Sequence, residues 1–84
     1  MRVLFVDDEP RILSGIENAL LFADHEWETY FANSGEEAVD ILQAVHFDVL
    51  VTDMKMPGLS GADVLAQARE HRPAMARIVL SGEC

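Results

Sequence analysis

The sequence predicts an α/β domain in which short parallel strands alternate with helices. Three observations lead there. Apolar, β-branched runs recur over residues 2–7, 27–31, 48–52 and 77–80. Between them, apolar residues return at helical spacing. Residues that start or stop helices, Pro10, Ser34, Ser60 and Pro73, punctuate the transitions.

Each element has a local reason. Val3-Leu4-Phe5-Val6 is a buried strand that ends at Asp7. Asp8-Glu9-Pro10 opens a helix, with Pro10 in a first turn where its missing N–H costs nothing. Ile12, Leu13, Ile16, Leu20 and Leu21 form its apolar stripe. The second strand is aromatic and β-branched, and Glu26 and Glu28 mark it as an edge. Asn33-Ser34-Gly35 breaks the chain. Ser34 and Glu37 have capping-box spacing ahead of Ala38, Val39, Ile41 and Leu42. The third strand follows, then a loop punctuated by Pro57-Gly58. Ser60 caps a third helix carrying Val64, Leu65 and Ala68. Ile78-Val79-Leu80 is the fourth strand. The order βαβαβαβ predicts a doubly wound parallel sheet with right-handed crossovers. In a flavodoxin-like strand order, 2-1-3-4, strands one and three lie side by side and their carboxyl ends form the topological switch point.

Carboxylates stand at that point. Asp7 and Asp8 follow the first strand and Asp53 closes Val49-Leu50-Val51-Thr52. Three converging carboxylates repel unless a cation sits among them. Oxygen donors suit a hard ion, Mg²⁺ above all, which keeps waters and leaves room for phosphoryl oxygens. Asp53, alone at the middle of the site, fits a nucleophile that would form an aspartyl phosphate, while Asp7 and Asp8 fit the metal. Ser81, at the end of the neighbouring strand, fits a hydrogen-bond donor to the phosphoryl group. Separately, Asp7-Asp8-Glu9 would read as a solvated helix start and Ser81 as a loop residue. Their joint placement at three strand ends favours a site.

Composition narrows the function classes. The chain has 84 residues, half of them hydrophobic, which suits one small packed domain. Its net charge of −9 argues against nucleic-acid binding by this segment. No apolar run is long enough for a membrane span, Met1-Arg2 leads straight into a strand, and the only cysteine is Cys84. These features predict a cytoplasmic domain without signal peptide or disulfide. No phosphate-binding glycine motif of nucleotide enzymes occurs. Lys55 stands where a phosphohydrolase with an aspartyl intermediate would want a second acid. His25, His46 and His71 lie in different elements without metal-ligand spacing. Phe22, Trp27 and Phe47 read as core or rim packing.

Phe5-Val6-Asp7-Asp8-Glu9-Pro10, the run from Val51 through Asp53, Lys55, Pro57 and Gly58 to Gly61, and Val79-Leu80-Ser81-Gly82 resemble the receiver domain of two-component response regulators. The resemblance covers residues 1–84. It implies a non-enzymatic phospho-acceptor in which Asp53 takes a phosphoryl group from a histidine kinase or phosphotransfer protein. It implies Mg²⁺ held by Asp8 and Asp53, by Asp7 through water and by the backbone carbonyl of Lys55, with Ser81 as the switch residue. Relative to the family, the sequence ends after strand four, without the fourth helix, the fifth strand and the fifth helix. The strand-five lysine therefore has no counterpart. This predicts a bare fourth-strand edge and uncovered apolar surface, and hence a homodimer formed by edge pairing or element exchange. The alternative expectation is a pseudo-receiver, an interaction module that is not phosphorylated.

Overall fold

The computed structural model describes residues 1–80. Ser81, Gly82 and Cys84, singled out above, lie outside the described residues. The strands are β1 (Arg2–Val6), β2 (Glu28–Ala32), β3 (Val49–Asp53) and β4 (Ala76–Leu80), and the helices are α1 (Pro10–Leu21), α2 (Gly35–Ala44) and α3 (Gly61–His71). All strand pairs are parallel, in the order β2-β1-β3-β4. This is the predicted flavodoxin-like arrangement. The glutamates at the start of β2 do mark an edge strand. Strand bounds differ from expectation by about one residue: β2 and β3 each begin and end one residue later, β1 stops before Asp7, and β4 begins at Ala76. Extended backbone and β-branched composition spill past the ladder, so pattern alone does not fix its ends.

Side chains alternate across the sheet. Leu4, Val6, Ala32 and Leu50 join Ala38, Leu42, Phe47, Val64, Ala68 and Met75 in the larger core, beneath α2 and α3. Phe47 is fully buried and meets the Tyr30 ring edge-on at 5.1 Å. Val3, Phe5 and Val51 face the other way and pack with Leu13, Ile16 and Leu20 of α1. Among the described residues α1 is the only helix on that face. Its stripe is accordingly half-covered: Leu13 is buried, but Ile12 is exposed and Leu21 is 74 % exposed. Phe22, expected to pack, is 91 % exposed because it caps α1 beyond the last residue that reaches the sheet. On β4, Ile78 is 50 % exposed and Val79 is exposed, along an edge unpaired among the described residues.

Capping explains where the helices begin. Pro10 is the first residue of α1. Ser34 Oγ accepts from the Glu37 amide at 3.1 Å, but the Glu37 carboxylate accepts from Asn33 N at 2.8 Å, one residue before the expected partner. The complete capping box is at α3 instead. There Ser60 Oγ accepts from Asp63 N at 3.3 Å and Asp63 Oδ2 accepts from Ser60 N at 3.0 Å.

Candidate functional site

The register brings the acidic residues together. β1 and β3 are neighbours, with Val6 opposite Thr52, so the residues leaving β1 emerge beside the end of β3. Asp7 N donates to Ala32 O at 3.1 Å, which holds the chain in line with the sheet for one residue past β1. One carboxylate oxygen from each of Asp7, Asp8 and Asp53 lies within 4.8 Å of the others. Asp7 is buried, at 5 % exposure, while Asp8 and Asp53 are half-buried.

Local hydrogen bonds aim these groups. Asp7 Oδ1 accepts from Glu9 N at 2.9 Å, and Asp53 Oδ1 accepts from Lys55 N at 3.2 Å. Each bond ties an acid to the backbone two residues on and leaves its other oxygen free. Thr52, fully buried, donates from its hydroxyl to Asp53 O at 3.0 Å. Gly61 N donates to Met54 O at 3.1 Å, and a Cβ on Gly61 would collide with the Asp53 carbonyl. A glycine is therefore required where α3 begins against the end of β3.

Charge is unbalanced within the cluster. Burial, first of all, pushes the Asp7 carboxyl above the usual carboxylate range. The Glu9 amide works against that rise, and the charges of Asp53, Asp8 and Glu9 add to it. A cation among these carboxylates would offset that repulsion. Carboxylate oxygens with unused lone pairs, gathered at one point, are hard donors that fit Mg²⁺. Asp7, Asp8 and Asp53 are the carboxylates that would hold it.

The other sequence candidates separate. Lys55 lies in the loop beside Asp53, through its own amide. His25 accepts from Trp27 N through Nδ1 at 3.0 Å, with Nε2 3.1 Å from Leu20 O, so it closes the turn after α1. His46 and His71 both line a cavity of about 60 Å³, with Leu42, Val45, Arg72 and Met75. It lies where α2 and α3 end and β3 and β4 begin, at the opposite end of the sheet from the acids. Two contributors escaped sequence reasoning. Thr52 was visible only as a polar residue inside an apolar run. Glu36 is an ordinary first-turn acid in sequence, yet its Oε2 accepts from Leu59 N at 3.3 Å in the β3–α3 loop.

Comparison with known proteins identifies the fold. The chain is 38 % identical over 80 residues to the hydrogenase transcriptional regulatory protein HoxA of Cupriavidus necator, covering 95 % of this chain and 16 % of that protein. It is 30 % identical over 82 residues to the cell cycle response regulator CtrA of Brucella ovis, covering 98 % of this chain and 34 % of that protein. The chain thus spans about one sixth and one third of these two relatives. Among solved structures, a response regulator receiver domain protein from Clostridium thermocellum superposes with a TM-score of 0.81 at 38 % identity, over 93 % of this chain and 62 % of that one. Chemotaxis protein CheY4 of Vibrio cholerae superposes with a TM-score of 0.82 at 30 % identity, over 99 % and 69 %. No helix among the described residues is long and apolar enough to cross a membrane. The response regulator receiver domain family matches residues 3–84, the fold superposes on solved receiver domains, and the chain belongs to that family.

Proposed function

We propose that residues 1–84 act as a regulatory phospho-acceptor in which Asp53 is the phosphorylated residue. The supporting observation is the convergence of Asp7, Asp8 and Asp53 within 4.8 Å, with the Asp7 carboxyl pushed up by burial and by its neighbours. An Asp53 carboxylate oxygen attacks the phosphorus of a phosphohistidine on a kinase or phosphotransfer protein. The new O–P bond forms as the P–N bond breaks, and the released imidazole takes a proton. Asp8 and Asp53, with Asp7 through water and the carbonyl of Lys55, would hold Mg²⁺. When bound, the ion supplies positive charge for the transferring phosphoryl oxygens. Lys55 N steadies Asp53 through Oδ1, and Ser81 donates to the phosphoryl group once it is in place. A cytoplasmic location fits a kinase partner of this kind.

The test uses acetyl phosphate as donor with Mg²⁺ and reads the intact mass, with Asp53→Asn as control. A Mg²⁺-dependent phosphoryl adduct absent from the variant is expected. An adduct that persists in Asp53→Asn would remove Asp53 as nucleophile.

A second reading has its own support in the exposed Ile78 and Val79 on the edge of β4. In it the chain is a pseudo-receiver that pairs with a second copy through that edge or by exchanging elements. Light scattering decides the pairing, since a monodisperse monomer at working concentration excludes it. A dimer that takes no phosphoryl group would favour the pseudo-receiver.

A further inference from the structure

The loop between β3 and α3, residues 54–60, carries Lys55 and is fastened on two sides. On one side Gly61 N holds Met54 O, with Gly61 packed on the Asp53 carbonyl. On the other side stands the first turn of α2. Gly35 lies directly under Leu59, where a Cβ would strike the Leu59 carbonyl. Glu36 Oε2 accepts from Leu59 N at 3.3 Å, a contact between residues 23 apart in sequence. Gly58, at φ 75°, takes a left-handed turn that brings it onto the same carboxylate, so that a Cβ there would come within 2.6 Å of Glu36 Oε2. Glu37, one residue on, turns the opposite way and holds Asn33. The two acids of the α2 first turn therefore divide the labour, one serving the loop before the helix and the other the loop beside Asp53. The positive end of α2 favours both carboxylates there.

We infer that Glu36 is a positioning residue for the site: through Leu59 N it holds the β3–α3 loop in the shape that presents Lys55 to Asp53. This rests on the reading of Asp53 as a Mg²⁺-dependent phospho-acceptor. Mg²⁺ tolerates little departure from octahedral geometry. A loop released at Leu59 then binds the ion less tightly without losing the nucleophile. Glu36 could instead act by charge alone, as one more anion near a cation. The two roles separate by substitution. Glu36→Gln keeps an oxygen acceptor for Leu59 N and loses the charge, and Glu36→Ala loses both.

The experiment compares the 84-residue wild type, Glu36→Gln and Glu36→Ala. Two Mg²⁺ titrations are read: the rise in Tm, and the phosphoryl adduct formed from acetyl phosphate. Glu36→Ala is expected to raise the Mg²⁺ midpoint up to about five-fold, in keeping with the loss of one exposed hydrogen bond, while the adduct at saturating Mg²⁺ stays at the wild-type level. Glu36→Gln should stay within about two-fold of wild type. Equal shifts in both variants would overturn positioning in favour of charge. A lower metal-free Tm for Glu36→Ala with an unchanged Mg²⁺ midpoint would reduce Glu36 to a fold contact and also overturn it. If the wild type binds Mg²⁺ but gains no phosphoryl group, the nucleophile assignment fails while the Tm midpoints still decide the role of Glu36. A wild type indifferent to Mg²⁺ would overturn both.

Discussion

The two ends of the sheet use aspartate in opposite ways. At the amino end, Asp48 precedes β3 and accepts from Arg2 N through Oδ2 at 2.8 Å, while Arg72 reaches its Oδ1 at 3.5 Å. Its backbone joins in, with Asp48 N on Arg2 O and Ala76 N on Asp48 O. One residue thus ties β1, β3, β4 and the end of α3. The Arg2 amide holds its carboxyl below the usual range despite some desolvation, helped by the Arg72, N-terminal and Arg2 charges. At the carboxyl end, Asp7 has one backbone donor and three acidic neighbours, and its carboxyl is pushed up. The same side chain is matched in one place and opposed in the other. The amino end fastens the fold, and the carboxyl end holds repulsion that a cation can relieve.

The largest effect that could break this contrast is functional. Asp53→Asn should abolish the acetyl-phosphate adduct, and Asp48→Asn should leave it at the wild-type extent under conditions where both chains are folded. Loss of adduct in a folded Asp48→Asn would mean that the two ends are not separate.

Metal binding comes next in size. Mg²⁺ at about one hundred times its dissociation constant stabilises a folded state that alone binds it by about 2.7 kcal/mol. That gain in Tm is expected for wild type and Asp48→Asn and should largely vanish in Asp8→Asn and Asp53→Asn. A Tm indifferent to Mg²⁺ in the wild type would remove the metal site.

How much of this contrast the sequence reveals depends on range. The acidic end is legible because strand-then-carboxylate is a local pattern, and a flavodoxin-like strand order then puts the ends of strands one and three, with Asp7, Asp8 and Asp53, at one switch point. The role of Asp48 is not, because its partners Arg2 and Arg72 are 46 and 24 residues away and meet it only once the strand order is set. Glu36 escaped for the same reason, its partner Leu59 being 23 residues on. Helical spacing showed which face of α1 is apolar. It carries no information on what lies opposite, so the exposure of Leu21 and Phe22 could not be read from it. The Ser34–Glu37 spacing is equally compatible with a bond to Ser34 N or to Asn33 N, and the chain takes the second.

A smaller effect tests the sign of each end without metal. Asp7→Asn keeps an acceptor for Glu9 N and removes a buried charge that its neighbours oppose, so it should raise Tm in EDTA. Asp48→Asn should lower Tm, and added salt should recover little of that loss, because the Arg2 amide bond is short-range while the half-exposed Arg72 pair is already weak. Two shifts of the same sign would end the comparison.

The smallest effect is how these two shifts change with pH, and its direction follows from linkage. For Asp48 the folded-state value lies below the unfolded one. Its contribution is fully present above the unfolded value and is lost as pH falls through the folded value, below the usual carboxylate range. For Asp7 the folded value lies above the unfolded one, so the folded chain binds the proton more readily. Its penalty is full above the raised value, shrinks as pH falls through it, and is gone below the unfolded value. Acid therefore brings both variants toward wild type, Asp7→Asn from above and Asp48→Asn from below. Asp7→Asn converges first, because its window lies at higher pH. Metal-free melts from neutral pH down to about pH 3 would show it. If Asp48→Asn converged first, the matched and opposed aspartates would have been assigned to the wrong ends of the sheet.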